Sequence, residues 1–259
     1  MSENVIFCFS GSGNCLDIAR TIARKLGDTD IVMMRREPAY TDAKNARRVG
    51  FVFPCYAGGL PGHVEEFAAK IRTGDAYVFG IVSCAGYPGV GLRRIDRLHP
   101  LDYWTVISHQ SACIWLMPHT LMVPPLSPER AQKRAERLAG KAAEDILAGV
   151  RRDEHPPEPN FNKLESRLWP ALCRKKAAAL TVNYACVSCG QCARLCPQGN
   201  IRLVDNRPVF GTDCIGCLSC LQFCPHQAIH MGGPTQTRER WHNPKVEAAD
   251  LMEKVIHVD

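Results

Sequence analysis

Two stretches of sequence, CVSCGQCARLCP at 186–197 and CIGCLSCLQFCP at 214–225, decide the fold of the second half of the chain. Both follow the spacing Cys-x2-Cys-x2-Cys-x3-Cys-Pro, and the second repeats the first at a constant offset of 28 residues, from 186 to 214. The offset continues beyond the motif, where Ile229 matches Ile201. A fixed offset indicates an internal duplication, so we predict a small domain built from two similar halves.

The spacing inside each repeat is suited to an iron–sulfur cluster. Three thiolates two residues apart wrap one corner of a cubane, while the fourth, after three more residues, points towards the other cluster. We therefore predict two [4Fe-4S] clusters that exchange one ligand. The predicted ligands of cluster one are Cys186, Cys189, Cys192 and Cys224, and those of cluster two are Cys214, Cys217, Cys220 and Cys196. Paired Cys-x2-Cys motifs also hold zinc, but a zinc site needs neither the third cysteine nor the proline.

Eight of the 14 cysteines lie in the repeats, which leaves six elsewhere. A disulfide framework is typical of short secreted chains that cannot build a core, whereas a chain of 259 residues can build one. We expect most of the six to be buried as small apolar residues. Three of them lie in candidate ligand loops, namely Cys15, Cys55 and Cys84, and the others are Cys8, Cys113 and Cys173.

The segment from Tyr184 to Met231, which contains every predicted cluster ligand, resembles the bacterial two-cluster ferredoxins. The resemblance implies a low-potential relay of single electrons, since thiolate ligation of a buried anionic cluster disfavours the extra electron. The formal net charge of +6 fits this interpretation, because clusters and a flavin phosphate are negatively charged.

The first half of the chain alternates between strand and helix patterns. Asn4–Phe9 is apolar and β-prone, the turn SGSGN follows at 10–14, and apolar residues recur with helical period from Leu16 to Leu26. Further predicted strands are Ile31–Met34, Val49–Phe53, Tyr77–Ser83 and Ala112–Met117, and further predicted helices are Gly62–Ile71, Gly89–Leu98 and Pro128–Val150, the last with Ser127 as N-cap. This alternation predicts an α/β fold with a doubly wound parallel sheet of order 2-1-3-4-5.

The turn SGSGN is a candidate phosphate site. The third glycine of the dinucleotide fingerprint is missing and no Lys-Ser or Lys-Thr follows, so NAD binding and P-loop chemistry are disfavoured. Hydroxyls and successive backbone N–H groups at a helix N-terminus instead suit an isolated terminal phosphate. Taken alone, the turn fits an ordinary strand-to-helix connection equally well.

Two later loops indicate flavin mononucleotide (FMN). In a sheet of order 2-1-3-4-5 the loops after the first, third and fourth strands meet at one crevice, where FMN binds in this fold. Small residues let backbone amides approach the ring edge, and Tyr56 or Tyr87 is able to cover a ring face. The predicted FMN-binding residues are Ser10, Gly11, Ser12, Gly13, Asn14, Cys15, Pro54, Cys55, Tyr56, Ala57, Gly58, Gly59, Ser83, Cys84, Ala85, Gly86, Tyr87 and Gly89. The alternative makes each loop a plain turn with a boundary aromatic residue.

The turn at 10–14 resembles the phosphate loop of flavodoxins, with one departure. Cys15 stands where flavodoxins commonly have threonine, and a thiol is a poorer hydrogen-bond donor than a hydroxyl. Nearly the whole chain resembles a family of flavodoxin and ferredoxin fusion proteins of anaerobic bacteria and archaea, whose aromatic-His-Asn-Pro tail segment is matched at 240–244. The resemblance implies a flavodoxin-like doubly wound sheet, a C-terminal α+β ferredoxin domain of the bacterial two-cluster type, and electron transfer.

The predicted domains follow from these patterns. They are a flavodoxin-like FMN-binding domain at 1–150, a linker and docking helix at 151–183, a two-cluster ferredoxin domain at 184–232, and a C-terminal tail at 233–259. The linker prediction rests on Arg151–Asn160, which holds three prolines and charges of both signs.

Composition argues against several classes of protein. No run of about 18 or more apolar residues occurs, so no membrane-spanning helix is expected. The first residues, Met1–Phe9, lack the features of a signal peptide, which predicts a cytoplasmic protein. Arginines are scattered in pairs such as Arg35-Arg36 without a recognition motif, so no nucleic-acid partner is expected.

The leading functional hypothesis is an electron-transfer protein that relays low-potential electrons between two [4Fe-4S] clusters and FMN. A partner redox protein would be the low-potential donor or the acceptor enzyme. No catalytic residue is predicted, because every strong motif binds a redox centre. The rival hypothesis is an enzyme, an FMN-dependent reductase of a small-molecule acceptor fed by the clusters. A third hypothesis leaves the first domain without a cofactor, as a docking module.

Overall fold

The computed structural model describes residues 2–114, 116 and 126–259. Within these residues the strands are β1 (Asn4–Cys8), β2 (Thr29–Met33), β3 (Arg48–Pro54), β4 (Tyr77–Cys84), β5 (Tyr103–Ser108), β6 (Leu180–Val182), β7 (Ile201–Val204), β8 (Arg207–Phe210), β9 (Ile229–Met231) and β10 (Val255–Val258). The helices are α1 (Asn14–Leu26), α2 (Gly62–Ala68), α3 (Gly91–Leu98), α4 (Pro128–Leu147), α5 (Asn160–Ala177), α6 (Gln191–Leu195), α7 (Ser219–Gln222), α8 (Pro234–Thr237) and α9 (Ala248–Met252).

Six strands form one sheet in the order β10-β2-β1-β3-β4-β5. The neighbouring strands β2, β1, β3, β4 and β5 are mutually parallel, and β10 pairs with β2 in antiparallel fashion. The order 2-1-3-4-5 is the doubly wound, flavodoxin-like arrangement, so the predicted fold class is confirmed. The cysteine repeats add two short antiparallel pairs, β6 with β9 and β7 with β8.

The inner strands are continuous apolar runs because helices cover both faces of the sheet. On one face α1 and α4 pack in a common core, and on the other face lie α2 and α3. The buried face of α4 consists mainly of alanines, which lets this helix pack close against α1. Within the sheet, a Cβ on Gly50 of β3 would lie 2.2 Å from the ring of Phe79 in β4, so only glycine fits beside that ring.

The predicted start of α4 is confirmed, while the predicted fifth strand is wrong. Ser127 accepts a hydrogen bond from the Arg130 N–H at 3.4 Å, with Pro128 in the first turn. β5 is Tyr103–Ser108, and the described part of the predicted strand Ala112–Met117 forms no strand; residues 115 and 117 lie outside the described residues. Because β5 is an edge strand with half-buried side chains, it lacks the continuous apolar run of the inner strands.

The segment predicted as a linker, Arg151–Asn160, is held against β5. The backbone N–H of Arg152 donates to the carbonyl of Asp102 at 2.8 Å, and Trp104 Nε1–H donates to the carbonyl of Glu154 at 2.8 Å. The Arg152 guanidinium also lies 4.7 Å from the centroid of the Trp104 ring. The segment then passes to α3, where His155 Nδ1 lies 2.9 Å from Asp96 Oδ2 and Arg97 donates to Glu158 at 2.7 Å, before α5 begins.

The tail at 233–259 returns to the first domain. β10 extends the sheet, Arg20 of α1 forms a salt bridge of 2.7 Å with Asp250 of α9, and the backbone N–H of Asn243 donates to the carbonyl of Ser12 at 2.8 Å. The cysteine repeats are thus enclosed in sequence between two parts of one sheet, and the predicted domain boundaries stay predictions. In the described part of the chain, no helix has the length and apolar character needed to span a bilayer.

Candidate functional site

Two small cavities lie inside the cysteine repeats, and their linings match the predicted ligand sets. One is lined by all four predicted ligands of cluster one, Cys186, Cys189, Cys192 and Cys224. The other is lined by all four predicted ligands of cluster two, Cys214, Cys217, Cys220 and Cys196. Cys220 also lines the first cavity, so the two lie side by side. The structure thus brings the exchanged cysteines, Cys196 and Cys224, to opposite halves, as the spacing predicts.

In each ligand loop, the residues before and after the second cysteine of the repeat have a left-handed backbone conformation. In the first loop Ser188 and Gly190 have φ of 60° and 71°, and in the second Gly216 and Leu218 have φ of 71° and 61°. Each repeat therefore has one glycine and one other residue in this conformation. The glycine follows the second cysteine in the first repeat and precedes the second cysteine in the second repeat. A non-glycine residue in this region is strained by about 1–3 kcal/mol, and such strain persists where the surroundings demand the conformation. The loop geometry is thus a shared property of both repeats.

The donor set suits a cluster. Each of the two cavities is lined by four predicted cysteine ligands, and four thiolates are the ligand set of a [4Fe-4S] cluster. Half-buried arginines lie close by: Arg35 donates to the carbonyls of Arg194 and Cys196 at 2.6 and 3.2 Å, and Arg240 donates to that of Leu221 at 2.6 Å. Positive charge close to both halves favours anionic clusters.

The cluster-two loop packs directly on the first loop of the sheet. Ser219 Oγ donates a hydrogen bond of 2.8 Å to the carbonyl of Gly11. A Cβ on Gly11 would lie 2.6 Å from the carbonyl oxygen of Cys217 and 2.7 Å from the hydroxyl of Tyr56. Glycine is therefore required here by the close approach of the two loops.

A cavity of ≈ 550 Å³ opens at the carboxyl end of the sheet. Fifteen of the 18 predicted FMN-binding residues line it: Ser10, Gly11, Ser12, Asn14, Cys15, Pro54, Cys55, Tyr56, Ala57, Gly58, Ser83, Cys84, Ala85, Gly86 and Tyr87. The other three, Gly13, Gly59 and Gly89, do not. A Cβ on each of these would meet Val246, Ser166 and the Gly58 backbone, respectively. The structure thus brings the three predicted loops together.

Other lining residues escaped the sequence analysis. The loop after β5 contributes Gln110, Ser111, Ala112 and Cys113, and α5 contributes Glu165, Leu168, Trp169 and Leu172. The cluster-two loop contributes Gly216, Cys217 and Leu218. Only the tertiary arrangement brings these residues to the cavity. In a parallel sheet the loop after β5 is expected at the same edge as the loops after β1, β3 and β4. It was not predicted because the fifth strand was placed at 112–117.

The chemistry of the lining is apolar and nearly uncharged. Burial raises the pKa of Cys55 to about 12, of Cys84 to about 11 and of Cys113 to about 12, so these thiols stay protonated at neutral pH and are poor nucleophiles. Among the described lining residues Glu165 is the single charged side chain, and Tyr87 Oη donates to its carboxylate at 2.7 Å. The lining is suited to holding a ligand rather than to nucleophilic attack.

The phosphate-type turn is ordered by internal hydrogen bonds. Ser10 Oγ accepts from the Gly13 N–H at 3.0 Å, and Gly13 has φ of 95°, which favours glycine. Asn14 is buried, and its Nδ2 donates to the carbonyl of Gln110 at 3.2 Å. The start of α1 is therefore held at one end of the cavity.

Comparison with known protein families finds a match in the second half of the chain. Residues 185–229 match the family described as 4Fe-4S dicluster domain. The match confirms the prediction of [4Fe-4S] clusters, and with the observed strand order it confirms the predicted combination of a flavodoxin-like sheet and a ferredoxin domain.

Solved structures resemble mainly the first half, and only distantly. A flavodoxin of Fusobacterium nucleatum bound to flavin mononucleotide is 12% identical over 58% of this chain and 100% of its own, with a TM-score of 0.40. A flavodoxin from the domain Archaea is 16% identical over 56% of this chain and 99% of its own, with a TM-score of 0.36. An NAD(P)H:quinone oxidoreductase from Methanothermobacter marburgensis is 10% identical over 60% of this chain and 98% of its own, with a TM-score of 0.38. No curated protein sequence matches the chain significantly.

Proposed function

We propose that the chain is an electron-transfer protein that holds two [4Fe-4S] clusters and one FMN and relays low-potential electrons between them. The observation that carries the proposal is the position of Cys217. This predicted ligand lines the cluster-two cavity and also the large cavity at the carboxyl end of the sheet. A redox centre in the large cavity would therefore be separated from cluster two by little more than one side chain.

The large cavity fits FMN in three respects. Its volume of ≈ 550 Å³ lies in the range of cofactor pockets, about 300–1,000 Å³. At one end the start of α1 offers N–H groups and the positive end of the helix dipole to a phosphate, which replaces the missing lysine or arginine. Towards the loops after β3 and β4, Tyr56 and Tyr87 supply aromatic surface for a ring.

The order of the cofactors follows from the linings. The predicted cluster-one ligands Cys186, Cys189 and Cys192 line the cluster-one cavity and not the large cavity, so cluster one is distal and cluster two proximal to the flavin site. A flavin accepts up to two electrons and a cluster one, which would let the protein couple single-electron and two-electron partners. The residues around the flavin site position the cofactor and exclude water; none is required as an acid, base or nucleophile.

A partner oxidoreductase is proposed to dock at cluster one. Tyr184 and Val187 beside this cluster are 95% and 58% exposed, and Cys189 is exposed as well. Arg202 and Arg207 on the neighbouring β7–β8 hairpin are exposed and basic. An apolar centre with a basic rim fits a partner whose docking face is apolar with an acidic rim. A cytoplasmic location is part of the proposal, since reducing conditions keep free thiolates available.

A second candidate is an FMN-dependent reductase of a small-molecule acceptor. It is favoured by the wall that α5 contributes, in which Leu168 and Leu172 face the cavity and Leu168 is 61% exposed. An apolar wall at the mouth of the cavity would admit a small acceptor to the flavin. This candidate predicts steady turnover without a protein partner.

Anaerobic reconstitution tests the proposal. We expect about eight iron atoms per chain, four for each cluster, together with one FMN. About four iron atoms or fewer would contradict the cluster assignment. Normal iron with substoichiometric flavin would contradict the flavin site and leave the first domain as a docking module. Steady reduction of a small acceptor without a partner protein would favour the reductase.

A further inference from the structure

A second cavity, of ≈ 490 Å³, lies where α2, α5 and the cluster-two loop meet, and we call it the basic cavity. Its lining includes four basic side chains and two acidic ones, namely Arg35, Arg36, Lys70 and Arg174 against Glu66 and Asp213. The lining therefore carries an excess of positive charge. A concave wall with an excess of one sign focuses the electric field and concentrates ions of the opposite sign. The basic cavity is thus suited to an anion.

Two of the four cations are unpaired. Lys70 follows α2 and Arg174 lies in the last turn of α5, and both are exposed. Neither side chain forms an ion pair or a hydrogen bond with the part of the chain that the structure describes, and the same holds for Glu66. Unpaired cations are ordinary on a convex surface, but these two line one recess from two separate segments. An anion that enters the recess meets both of them.

The other two cations are held by the chain. Arg35 donates to the backbone carbonyls of Arg194 and Cys196 at 2.6 and 3.2 Å, which occupies donor groups but leaves its positive charge without a carboxylate among the described residues. Arg36 Nη1 lies 3.6 Å from Asp213 Oδ2, in a pair with both side chains exposed. Exposed pairs of this kind are weak. The internal partners therefore do not remove the positive excess of the basic cavity.

The basic cavity lies against the cluster-two site. Cys214, a predicted ligand of cluster two, lines both cavities, and so does its neighbour Ile215. Among the described residues, none that lines the basic cavity also lines the cluster-one cavity. Trp169 lines both the basic cavity and the large cavity, so its side chain stands between them. A ligand in the basic cavity would therefore be close to cluster two and separate from the flavin.

We propose that the basic cavity binds a small anion with two or more negative charges, and that the bound anion makes cluster two harder to reduce. Two unpaired cations on separate segments suit two negative charges better than one. Reduction adds an electron to a cluster that is already anionic, so a further negative charge beside it disfavours the step. The effect on cluster two rests on the proposed function, because it needs the cluster, whereas binding of the anion does not.

Titration of protein loaded with FMN and both clusters tests the binding. Loading fills the large cavity, so an added anion does not compete for the phosphate-type turn. The probes are glycerol phosphate, succinate and, as the monovalent comparison, acetate, at low ionic strength, where charges are least screened. We expect the two divalent probes to bind at least about tenfold more tightly than acetate, since each gains a second charge contact. The tighter of the two identifies phosphate or carboxylate as the preferred group.

Lys70→Gln combined with Arg174→Gln should weaken binding of both divalent probes by about tenfold or more, because two charge contacts are lost. Since neither side chain is bonded to the rest of the described chain, the variant should keep the Tm and the cluster absorbance of the wild type. The matched control is Arg130→Gln with Lys133→Gln on α4. These two residues are exposed and lie outside the lining, and their loss changes the net charge equally. The control should bind the probes as the wild type does.

The reduction potentials of the clusters provide the second measurement. In the wild type, saturation with the tighter divalent probe should lower the potential of one cluster more than that of the other. In the variant this shift should be lost at the same probe concentration. Removal of two cations near a cluster also lowers its potential without any ligand. The quantity to compare is therefore the shift that the probe causes in each protein.

Three results would overturn the proposal. They are failure of both divalent probes to bind more tightly than acetate, an equal loss of binding in the variant and in the control, and binding that leaves both cluster potentials unchanged. The second would mean that the anions respond to net charge rather than to a site. A chain that takes up no clusters would instead overturn the proposed function. Tight binding of a divalent probe by that chain, lost in the variant and kept in the control, would still support the anion site.

Discussion

Ser219 Oγ donates a buried hydrogen bond of 2.8 Å to the carbonyl of Gly11. This single bond joins the cluster-two loop to the first loop of the flavodoxin-like sheet, across 208 residues of sequence. The contact is close enough that a Cβ on Gly11 would collide with the carbonyl of Cys217. The two predicted cofactor sites therefore share a wall, and disturbing one loop should affect both.

Ser219→Ala should weaken both the fold and flavin binding. The substitution leaves the buried carbonyl of Gly11 without its donor, which costs about 1–3 kcal/mol of unfolding free energy. Because Gly11 lies in the phosphate-type turn, the dissociation constant of FMN should rise as well. Chemical denaturation and flavin titration measure the two effects.

The control for that substitution is Ser188→Ala in the cluster-one loop. Ser188 Oγ bonds to the carbonyl of Asn206, but this bond is exposed to solvent, so the change should cost no more than about 0.5 kcal/mol. FMN affinity should stay at the wild-type value. Equal effects of the two substitutions on FMN affinity would contradict the shared wall.

A reciprocal exchange in the ligand loops should have unequal effects. Ser188 and Gly216 both precede the second cysteine of their repeat, and both have positive φ. Ser188→Gly should stay within about 1 kcal/mol of the wild type, since it relieves backbone strain but loosens the unfolded chain. Gly216→Ser should cost about 2 kcal/mol or more, because its Cβ would lie 2.7 Å from Cys173 Sγ. Denaturation and cluster absorbance measure both.

Cys173→Ala supplies the rescue for Gly216→Ser. Removing the sulfur frees space for the new Cβ, so the double variant should be more stable than Gly216→Ser alone. If Cys173→Ala gives no recovery, the strain of the loop rather than the contact with α5 limits position 216.

The edge strand β10 should be held less firmly as pH rises. His257 Nδ1 lies 3.0 Å from Asp30 Oδ1, and hydrogen bonds to Asp30 and Asp259 raise the pKa of His257 above its usual 6.5. A raised pKa in the folded chain means that the stabilisation is fully present below about pH 6.5 and is lost as pH rises through the folded-state pKa. Hydrogen-exchange protection of Ile256 should fall over this range in the wild type. In His257→Gln it should be lower at pH 6 and free of this pH dependence.

Cys224→Ala should damage both halves of the dicluster domain. Cys224 lies in the second repeat but lines the cavity of cluster one, so its loss removes a cluster-one ligand and the tie between the halves. Iron content should fall from about eight atoms to below about four, because the remaining cluster loses its support. Loss of only one cluster with an intact fold would count against this coupling.

The sequence predicted the parts of the fold that local patterns encode. Inner strands such as β3 and β4 are continuous apolar runs, and the spacing of the cysteines indicates which of them bind the same cluster. The position of β5 was predicted wrongly because this half-buried edge strand contains both polar and apolar residues. The run at 112–117 is more apolar and was therefore predicted as the strand instead. The phosphate-type turn could be found because its glycines and hydroxyls are contiguous in sequence.

The rest depended on tertiary contacts that no local pattern shows. β10 pairs with β2 across more than 220 residues, from Val255 to Val32, and its sequence resembles any short β-prone tail. Gln110 belongs to no local motif, and its place in the cavity lining follows only from the tertiary fold. The contact between Ser219 and Gly11 likewise arises from packing of two domains, whose relative position the sequence leaves open.

Electron transfer between flavin and clusters inside one chain tests the central claim most directly. In protein loaded with FMN and both clusters, either the flavin is reduced by a laser flash or the clusters are reduced by a fast electron donor, and absorbance is followed at flavin and cluster wavelengths. The account predicts that electrons pass between the flavin and a cluster, in the direction set by their potentials, at a rate independent of protein concentration, since Cys217 lies at both sites. A rate that rises in proportion to protein concentration, or no electron exchange between the two centres whichever is reduced first, would contradict it.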